Sequence, residues 1–381
     1  GPDDFGFHID KEFGFGMRRL SIIDVDGGYQ PIFNEDHSIC IVFNGEIYNY
    51  REIRDTLVNL GHRFRTKSDT EVILHAFEEW GNSCLERLNG MFAFAIWDRD
   101  KRRLFLARDR IGIKPLYYYC RDGRFLFGSE LKTILAEGHV NTKLDFQALD
   151  EYFTYRYIPS PRSIYKHVKK LPPAHWLEVD ADGIKIESYW HLPEESFYNV
   201  SERELIEEFI ELFEDSVKKR MIADVPLGAF LSGGLDSTSI VNTMSKLSSK
   251  PIMTFSIGFR DGGYHDETKY ARLASDFSAT LHTELKVDSE MLNFLPDYVT
   301  YFDEPFSDSA ALPTYMVSKL AREHVKVVLT GDGGDEIFAG YNRYKNEMYA
   351  DYYRKIPGTM RSLLASLLKT FSPLFSMDSY L

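Results

Sequence analysis

From about Ser201 onward, short apolar runs alternate with helical patterns, and this alternation constrains the fold more than any other feature of the sequence. Ser201 and Glu204 form a capping box ahead of a helix that should reach about Arg220. Helices, one from Ser237 and one near residues 267–277, separate the strand-like runs PLGAFLS, IMTFSIGF, HTELKV and KVVLT. Strands that alternate with helices predict an α/β, doubly wound parallel sheet for residues 201–381.

The first half of the chain has a different pattern, in which turn signals separate short apolar alternations. These runs are FGFGMRRLSII, ICIVFNGEI and MFAFAIWDRDKRRLFLARDR, and the last of them predicts a hairpin. Helical patterns interrupt the runs near residues 50–60 and 69–80. Residues 1–190 are therefore expected to form an α+β domain, with antiparallel sheet and segregated helices.

Composition excludes several classes of protein. The 58 acidic and 45 basic residues give a net charge of -13, which disfavours nucleic acid and anionic membrane surfaces as partners. No apolar run approaches the roughly 18 to 20 residues of a membrane span, and GPDDFGFHID has no signal-peptide character. Cys40, Cys84 and Cys120 lie far apart without CxxC pairing, which argues against disulfides and structural zinc. We therefore expect a cytoplasmic protein.

The stretch LSGGLDST, residues 231–238, lies at the end of the first predicted strand of the second half, where doubly wound sheets bind ligands. Gly233 and Gly234 would let the backbone turn tightly and approach an anion, and the next helix would point its N–H groups there. Asp236 would repel a bare phosphate, which indicates that Mg²⁺ bridges the carboxylate and phosphate oxygens. The loop also offers the hydroxyl donors Ser232, Ser237 and Thr238. A plain tight turn with an N-capping hydroxyl remains the alternative.

A second acidic and glycine-rich turn, TGDGGDEIFAGY, spans residues 330–341 and follows KVVLT. Its position beyond another strand would bring Asp332 and Asp335 to the same crevice. Two carboxylates there could hold a metal ion or act as acid and base. The alternative is a solvated turn that caps a helix.

Both halves resemble one family. SGGLDS matches the SGGxDS signature of the PP-loop ATP pyrophosphatases, and LSGGLDS, FSIGF, DEPFSDSAALPTY and LTGDGGDEIFAGYNRY follow the order of glutamine-hydrolysing asparagine synthetases. GPDD, RRLSIID, GGYQP, FNGEIYNY, SDTEV, GMFAFAIWD and RDRIGIKPLYY resemble that family's glutaminase domain, an αββα N-terminal-nucleophile hydrolase fold. The resemblance implies ATP and Mg²⁺ as cofactors, glutamine and aspartate as substrates, channelled ammonia, release of AMP and pyrophosphate, and a possible homodimer.

The resemblance also implies a role for individual residues. Arg19 would clamp the glutamine α-carboxylate, Glu46 and Asp69 would hold the substrate, and Asp69 would read the α-ammonium. Asn44 and Gly45 would form the oxyanion hole. Further walls of the glutamine pocket would be Leu20, Ser21, Ile22 and Ile23. The ATP site would comprise Leu231, Ser232, Gly233, Gly234, Asp236, Ser237, Ile257, Thr330 and Gly331. Asp332 would be catalytic, and the magnesium ligands would be Asp236 and Asp335.

The sequence departs from the family pattern at several points. The family's glutaminase nucleophile is an N-terminal cysteine within Met-Cys-Gly-Ile, whereas this sequence begins at Gly1. We therefore expect either a preceding segment or a form that uses only free ammonia, and we expect further chain after residue 381. Asp332 stands where glutamate is common, and FSDSAALPTY has no arginine, so a sugar acid, a β-lactam precursor or a peptide remains an alternative acceptor. The alternative to an enzyme is a degenerate regulatory protein that binds nucleotide or glutamine without turnover.

Overall fold

A computed structural model of the protein describes residues 1–11, 13–194, 200–260 and 267–362. Antiparallel sheets dominate the first 190 residues. The strands are β1 (Asp4–Ile9), β2 (Gly14–Arg19), β3 (Ile32–Phe33), β4 (Ile39–Ile47), β5 (Gly90–Asp98), β6 (Arg103–Arg108), β7 (Tyr117–Arg121), β8 (Arg124–Gly128), β9 (Val168–Lys170), β10 (His175–Asp180) and β11 (Gly183–Ser188). The helices are α1 (Tyr50–Asn59), α2 (Asp69–Trp80), α3 (Cys84–Arg87), α4 (Leu131–Leu135) and α5 (Phe146–Tyr155), with a 3-10 turn at Gly81–Ser83.

Three antiparallel sheets form from these strands. Six strands pair in the order β11-β10-β6-β5-β4-β3, three in the order β8-β7-β9, and β1 pairs with β2. The expected hairpin is present, because β5 pairs with β6 across the turn that follows Asp98. The two predicted helices are α1 and α2, and Ser68 caps α2 by accepting from Thr70 N at 3.1 Å.

The alternation of side chains along β5 shows how the layers are built. Phe92, Phe94 and Ile96 face the helices α1 and α2, where they share a core with Leu57 and Phe77. On the other face of the same strand, two alanines pack toward β2 and β7, in a core that also contains Phe15 and Tyr118. The far side of the three-stranded sheet packs against α4 and α5. The resulting order, helix–sheet–sheet–helix, confirms the predicted αββα architecture.

The remaining residues before position 330 contain a parallel sheet. Its strands are β12 (Leu227–Phe230), β13 (Met253–Phe259), β14 (Leu281–Val287) and β15 (Val327–Leu329). The helices are α6 (Glu202–Arg220), α7 (Leu235–Leu247), α8 (Thr268–Ser278), α9 (Leu295–Tyr301) and α10 (Ala311–Arg322), with a 3-10 segment at Ser289–Phe294. The helix expected from Ser237 begins two residues earlier, because Gly234 is its N-cap.

The strand order β14-β13-β12-β15 confirms the doubly wound sheet. The chain runs outward from β12 to β14 and then returns to β15 on the other side of β12. Helices α6, α7 and α8 pack on one face and α10 on the other. The direction of winding therefore reverses between β12 and β15, which places the loop after β12 at the switch point where such sheets bind ligands.

Helix α6 packs against the core of the parallel sheet along only part of its length. The capping box is present, with Ser201 N donating to Glu204 Oε2 at 2.8 Å. Of its apolar stripe, Val217 is buried and Phe213 packs against the same core, whereas Leu205, Ile206, Phe209 and Ile210 are exposed. The N-terminal half of this helix therefore extends past the sheet that covers its C-terminal half.

Residues Gly1–Leu329 and Thr330–Leu381 form two separate compact units. The described part of the second unit contains the short helix α11 (Gly334–Phe338) and the longer α12 (Asn342–Arg354). No helix among the described residues is both long and apolar enough to cross a membrane.

Candidate active sites

A cavity of about 960 Å³ is lined by residues of all three antiparallel sheets, and it brings together most of the predicted glutamine-binding residues. The predicted residues that line it are Arg19, Leu20, Ile22, Ile23, Asn44, Gly45, Glu46 and Asp69. Ser21 is buried beside the cavity without lining it, and its backbone N–H donates to Asp3 Oδ2 at 3.0 Å. Lys114, which the sequence did not single out, is a further lining residue.

Arg19 is held in one orientation at the end of β2. Its Nη2 donates to the carbonyl oxygens of Ile23 at 2.6 Å and Asp24 at 3.0 Å, and its Nη1 donates to that of Val25 at 3.4 Å. A Cβ at Gly28 would lie only 2.5 Å from Arg19 Nη2, so glycine leaves room for the guanidinium. A guanidinium has five N–H donors, and these three bonds leave two for an anionic ligand.

Two buried carboxyl groups, Glu46 and Asp69, face the same cavity from the end of β4 and the start of α2. Asp69 Oδ2 accepts from Ile47 N at 3.0 Å. Burial raises the pKa of Glu46 to about 7, and the charge of Asp69 adds to this effect. Burial likewise raises the pKa of Asp69 to about 6. Two buried carboxylates that repel each other are stabilised by a cation placed between them, such as an ammonium group.

Asn44 and Gly45 directly precede Glu46 on β4. Asn44 Nδ2 donates to Ser129 Oγ at 3.1 Å, and its second N–H is available to a ligand. Gly45 has a φ of 153°, and a Cβ there would lie 2.0 Å from the carbonyl oxygen of Met91. Only glycine fits this position, where the strand passes close to β5.

The loop after β12 has the backbone that the sequence predicted. Gly233 has a φ of 83°, and a Cβ there would meet the backbone of Tyr270 at 2.4 Å. Ser232 Oγ lies 3.0 Å from Ser237 Oγ and accepts from Gly234 N at 3.2 Å. Among the described residues no side chain caps α7, so the hydroxyl groups shape the turn and leave the first N–H groups of the helix open.

Several polar groups of this loop lack partners. Within the described residues, the Asp236 carboxylate makes no hydrogen bond or ion pair, and Thr238 Oγ1 is buried without a partner. Such groups suit a hydrated cation and phosphate oxygens. Leu231 belongs to the core between the sheet and α7, so only its backbone can contact a ligand in the loop. Ile257 lies on β13, where it pairs with Leu285.

The second acidic turn begins the unit that starts at Thr330. Thr330 Oγ1 donates to Asp332 Oδ2 at 2.8 Å, and Gly331 lies between them. Helix α11 begins at Gly334 with Gly333 as its N-cap, so Asp335 lies in the first turn and does not cap the helix. That Asp335 shares a metal ion with Asp236 stays a prediction.

Contacts between the two halves of the first unit are features that the sequence did not reveal. Asp224 N donates to the carbonyl oxygen of Ile22 at 3.0 Å, and Asp24 N donates to Asp224 Oδ2 at 2.8 Å. The part of the cavity wall at residues 22–24 is thus hydrogen-bonded to the segment that enters β12. We call this cavity the glutamine-type cavity. In the DEPF motif, Glu304 pairs with Lys170 and accepts from Tyr117. These pairs have no local sequence signal, because their partners are about 130 to 200 residues apart.

The three cysteines lie in different environments. Cys40 and Cys84 are buried, and burial raises the pKa of each thiol to about 12, whereas Cys120 is exposed. Neither buried thiol can supply a thiolate near neutral pH.

The antiparallel half contains the cavity, the parallel half contains the loop after β12, and a different family model matches each half. The family model described as a glutamine amidotransferase domain matches residues 1–190, and the one described as asparagine synthase matches residues 208–377. A putative glutamine-hydrolysing asparagine synthetase 2 from Methanocaldococcus jannaschii is 42% identical over 95% of this chain and 74% of its own length. The chain belongs to the family of glutamine-hydrolysing asparagine synthetases.

Other relatives agree but are longer. The glutamine-hydrolysing asparagine synthetase 1 of Bacillus subtilis is 39% identical, over 96% of this chain and 57% of its own length. The putative enzyme of Mycobacterium bovis is 36% identical, over 97% of this chain and 59% of its own length. The chain thus spans between about three fifths and three quarters of these relatives.

Proposed function

We propose that the protein synthesises asparagine from aspartate, ATP and glutamine, releasing AMP, pyrophosphate and glutamate. The observation that carries this proposal is the presence in one chain of two different built sites. One is a cavity with an oriented arginine and two buried carboxyl groups, and the other is an SGGLDS loop at the switch point of a parallel sheet. Separate family models match the two parts.

In the glutaminase step, the two open N–H groups of Arg19 bind the α-carboxylate of glutamine. Glu46 and Asp69 bind its α-ammonium, which supports their ionised forms. Asn44 Nδ2 and the Gly45 backbone N–H donate to the oxygen that gains charge when the side-chain amide is attacked. Neither Cys40 nor Cys84 is the nucleophile in this proposal, because both thiols stay protonated in the core.

In the synthase step, the acceptor carboxylate attacks the α-phosphate of ATP, and pyrophosphate leaves. The N-terminal N–H groups of α7 and the hydroxyl groups of Ser232 and Ser237 bind phosphate oxygens. Gly233, Gly234, Thr330 and Gly331 offer backbone contacts. Asp332 acts as the acid or base near the acceptor. Ammonia then attacks the adenylated carboxyl carbon and displaces AMP.

Magnesium would be held by Asp236 and Asp335. The unpartnered Asp236 carboxylate and the buried, unpartnered Thr238 hydroxyl fit such an ion. When bound, Mg²⁺ gathers the negative charge of the leaving pyrophosphate.

Ammonia must pass between the sites without protonation. Leu20 lines the glutamine-type cavity and also a second cavity of about 460 Å³, whose lining includes Phe230 and Val328 of the parallel sheet. The second cavity is also lined by Lys319, Arg322 and Lys326, and positive charges there disfavour the charged ammonium form.

The remaining parts of the proposal concern organisation. We place the functional domains at residues 1–190 and 201–381, and the protein in the cytoplasm as a homodimer. Cysteine usage supports a reducing compartment, and light scattering of the purified protein tests the dimer.

Product analysis tests the function. Full-length protein is incubated with ATP, Mg²⁺, glutamine and either aspartate or a panel of other carboxylates, with ammonium salt replacing glutamine in a parallel series. We expect AMP, pyrophosphate and asparagine in equal amounts. ADP and orthophosphate would contradict the assignment of the second half, and turnover of another carboxylate would reassign the acceptor. Binding of ATP and glutamine without any turnover would instead show a regulatory protein.

A further inference from the structure

A cluster of histidine and glutamate side chains on and just before α2 has no role in the proposed function. His75 and Glu78 lie on this helix, and His62 lies in the connection between α1 and α2. His75 is 1% exposed, and His62 and Glu78 are largely buried. None of the three lines the glutamine-type cavity.

The ligand atoms of the cluster converge. One atom each from His62, His75 and Glu78 lies within 4.8 Å of the other two. Glu78 Oε2 is 2.6 Å from His75 Nδ1 and 3.9 Å from His62 Nδ1. Ligands of a tetrahedral zinc ion, bonded at about 2.0 Å, lie about 3.3 Å apart. The two distances to Glu78 Oε2 differ from this value by less than about 1 Å, and the two histidine ligand atoms lie within 4.8 Å of each other.

The second nitrogen of each imidazole faces a carboxylate. His62 Nε2 is 3.1 Å from Glu79 Oε2. His75 Nε2 is 3.7 Å from Glu71 Oε1 and is buried without a hydrogen-bond partner. Metal-binding histidines commonly direct their other N–H at a carboxylate, which fixes the tautomer and makes the ligating nitrogen more basic.

The carboxylates are themselves held in place. Glu78 Oε1 accepts from Asn34 Nδ2 at 2.7 Å, which leaves Oε2 toward the histidines. Glu71 accepts from Arg65 N at 2.8 Å and from Thr66 N at 2.7 Å, so it is an outer partner and not a ligand. Three glutamates around two imidazoles make a local excess of negative charge that a divalent cation would balance.

We propose that His62 Nδ1, His75 Nδ1 and Glu78 Oε2 bind a first-row divalent transition metal, with water in a fourth position. Two imidazoles and one carboxylate suit Zn²⁺ or Fe²⁺ and do not suit Mg²⁺, so this site differs in chemistry from the proposed magnesium site. The bound metal joins the α1–α2 connection to α2. The alternative is a hydrogen-bonded cluster in which protons alone balance the carboxylates.

Metal titration tests the proposal. Full-length protein without a histidine tag is freed of metal by a chelator and titrated with ZnCl₂ in a calorimeter. We expect one tightly bound Zn²⁺ per chain. Co²⁺ in its place should give the intense visible absorption of a tetrahedral site. His62→Gln removes a ligand from a partly exposed position and should weaken binding by at least about 10-fold.

Three further variants serve as comparisons. Glu79→Gln keeps every ligand but removes an outer partner, so we expect binding to weaken by about 10- to 100-fold. His139→Gln changes an exposed histidine outside the cluster, and Asp236→Asn changes the proposed magnesium site. Both should bind Zn²⁺ as the unaltered protein does, and circular dichroism checks that each variant is folded.

Absence of stoichiometric Zn²⁺ binding would overturn the proposal. So would unchanged affinity in folded His62→Gln, because the cluster would then be only a hydrogen-bonded network. Loss of Zn²⁺ binding in Asp236→Asn with none in His62→Gln would place the metal in the second half of the chain.

Discussion

Replacement of Glu46 by glutamine should reveal how much the ionised Glu46 carboxylate lowers the stability of the folded protein. Glu46 is 6% exposed and lies near Asp69, and its pKa rises from 4.5 to about 7 on folding. A carboxyl group whose pKa is raised on folding supports the fold at low pH, and this support is lost as the pH rises through the folded value. Ionised Glu46 therefore destabilises the unliganded protein.

The size of the effect follows from the shift. One pKa unit corresponds to about 1.4 kcal/mol, so the cost of ionised Glu46 approaches about 3 kcal/mol at about pH 8. At about pH 5 the folded group is mostly protonated, and the cost is below about 1 kcal/mol. Glutamine keeps the shape and carries no charge. We expect Glu46→Gln to raise the free energy of unfolding by about 2 to 3 kcal/mol more at about pH 8 than at about pH 5.

Urea unfolding of both proteins at the two pH values measures this difference. Full-length protein is used without glutamine, because a bound ammonium group would favour the ionised carboxylates. The same variant should lose glutamine use at both pH values while keeping ammonia-dependent synthesis. Equal stability changes at the two pH values would refute the reasoning, since they would show that Glu46 titrates normally in the fold.

Three other substitutions test separate parts of the structure. Asp69→Ala should impair glutamine use by roughly 2 to 4 kcal/mol and spare ammonia-dependent synthesis, and equal loss of both activities in a kinetic assay would indicate a different role. Asp335→Asn should melt normally but release almost no pyrophosphate, so near-normal synthesis would remove Asp335 from the metal site. Gly233→Ala should lower stability by about 1 to 3 kcal/mol in thermal unfolding, because its φ is positive and α8 is in contact. Gly234→Ala is the control and should melt normally, since Gly234 has a φ of -68°.

The sequence predicted those features that depend on neighbouring residues. The capping box at Ser201, the hairpin of β5 and β6, and the alternation that gives the parallel sheet all arise from local patterns. The Gly233 turn was also predictable, because glycine, serine and aspartate at a strand-to-helix junction allow few conformations.

Other features depend on which elements meet in space. The capping box predicted α6 but not its burial, because burial requires a partner and the sheet reaches only the C-terminal half of the helix. The raised pKa of Glu46 depends on Asp69, which lies on another element, and on the cavity around both. The histidine cluster escaped prediction because His62 and His75 look like ordinary residues until α1 and α2 pack together.

The bonds between Asp224 and residues 22–24 bear on how this protein could be divided or recombined. A fragment that ended at residue 190 would contain every strand of the antiparallel sheets, yet Ile22 O and Asp24 N would lose their partner from the segment that enters β12. Exchange of the amidotransferase half between relatives would therefore have to preserve the match between this turn and Asp224. Selection on one half thus constrains which substitutions the other half can accept, although each half has its own hydrophobic core.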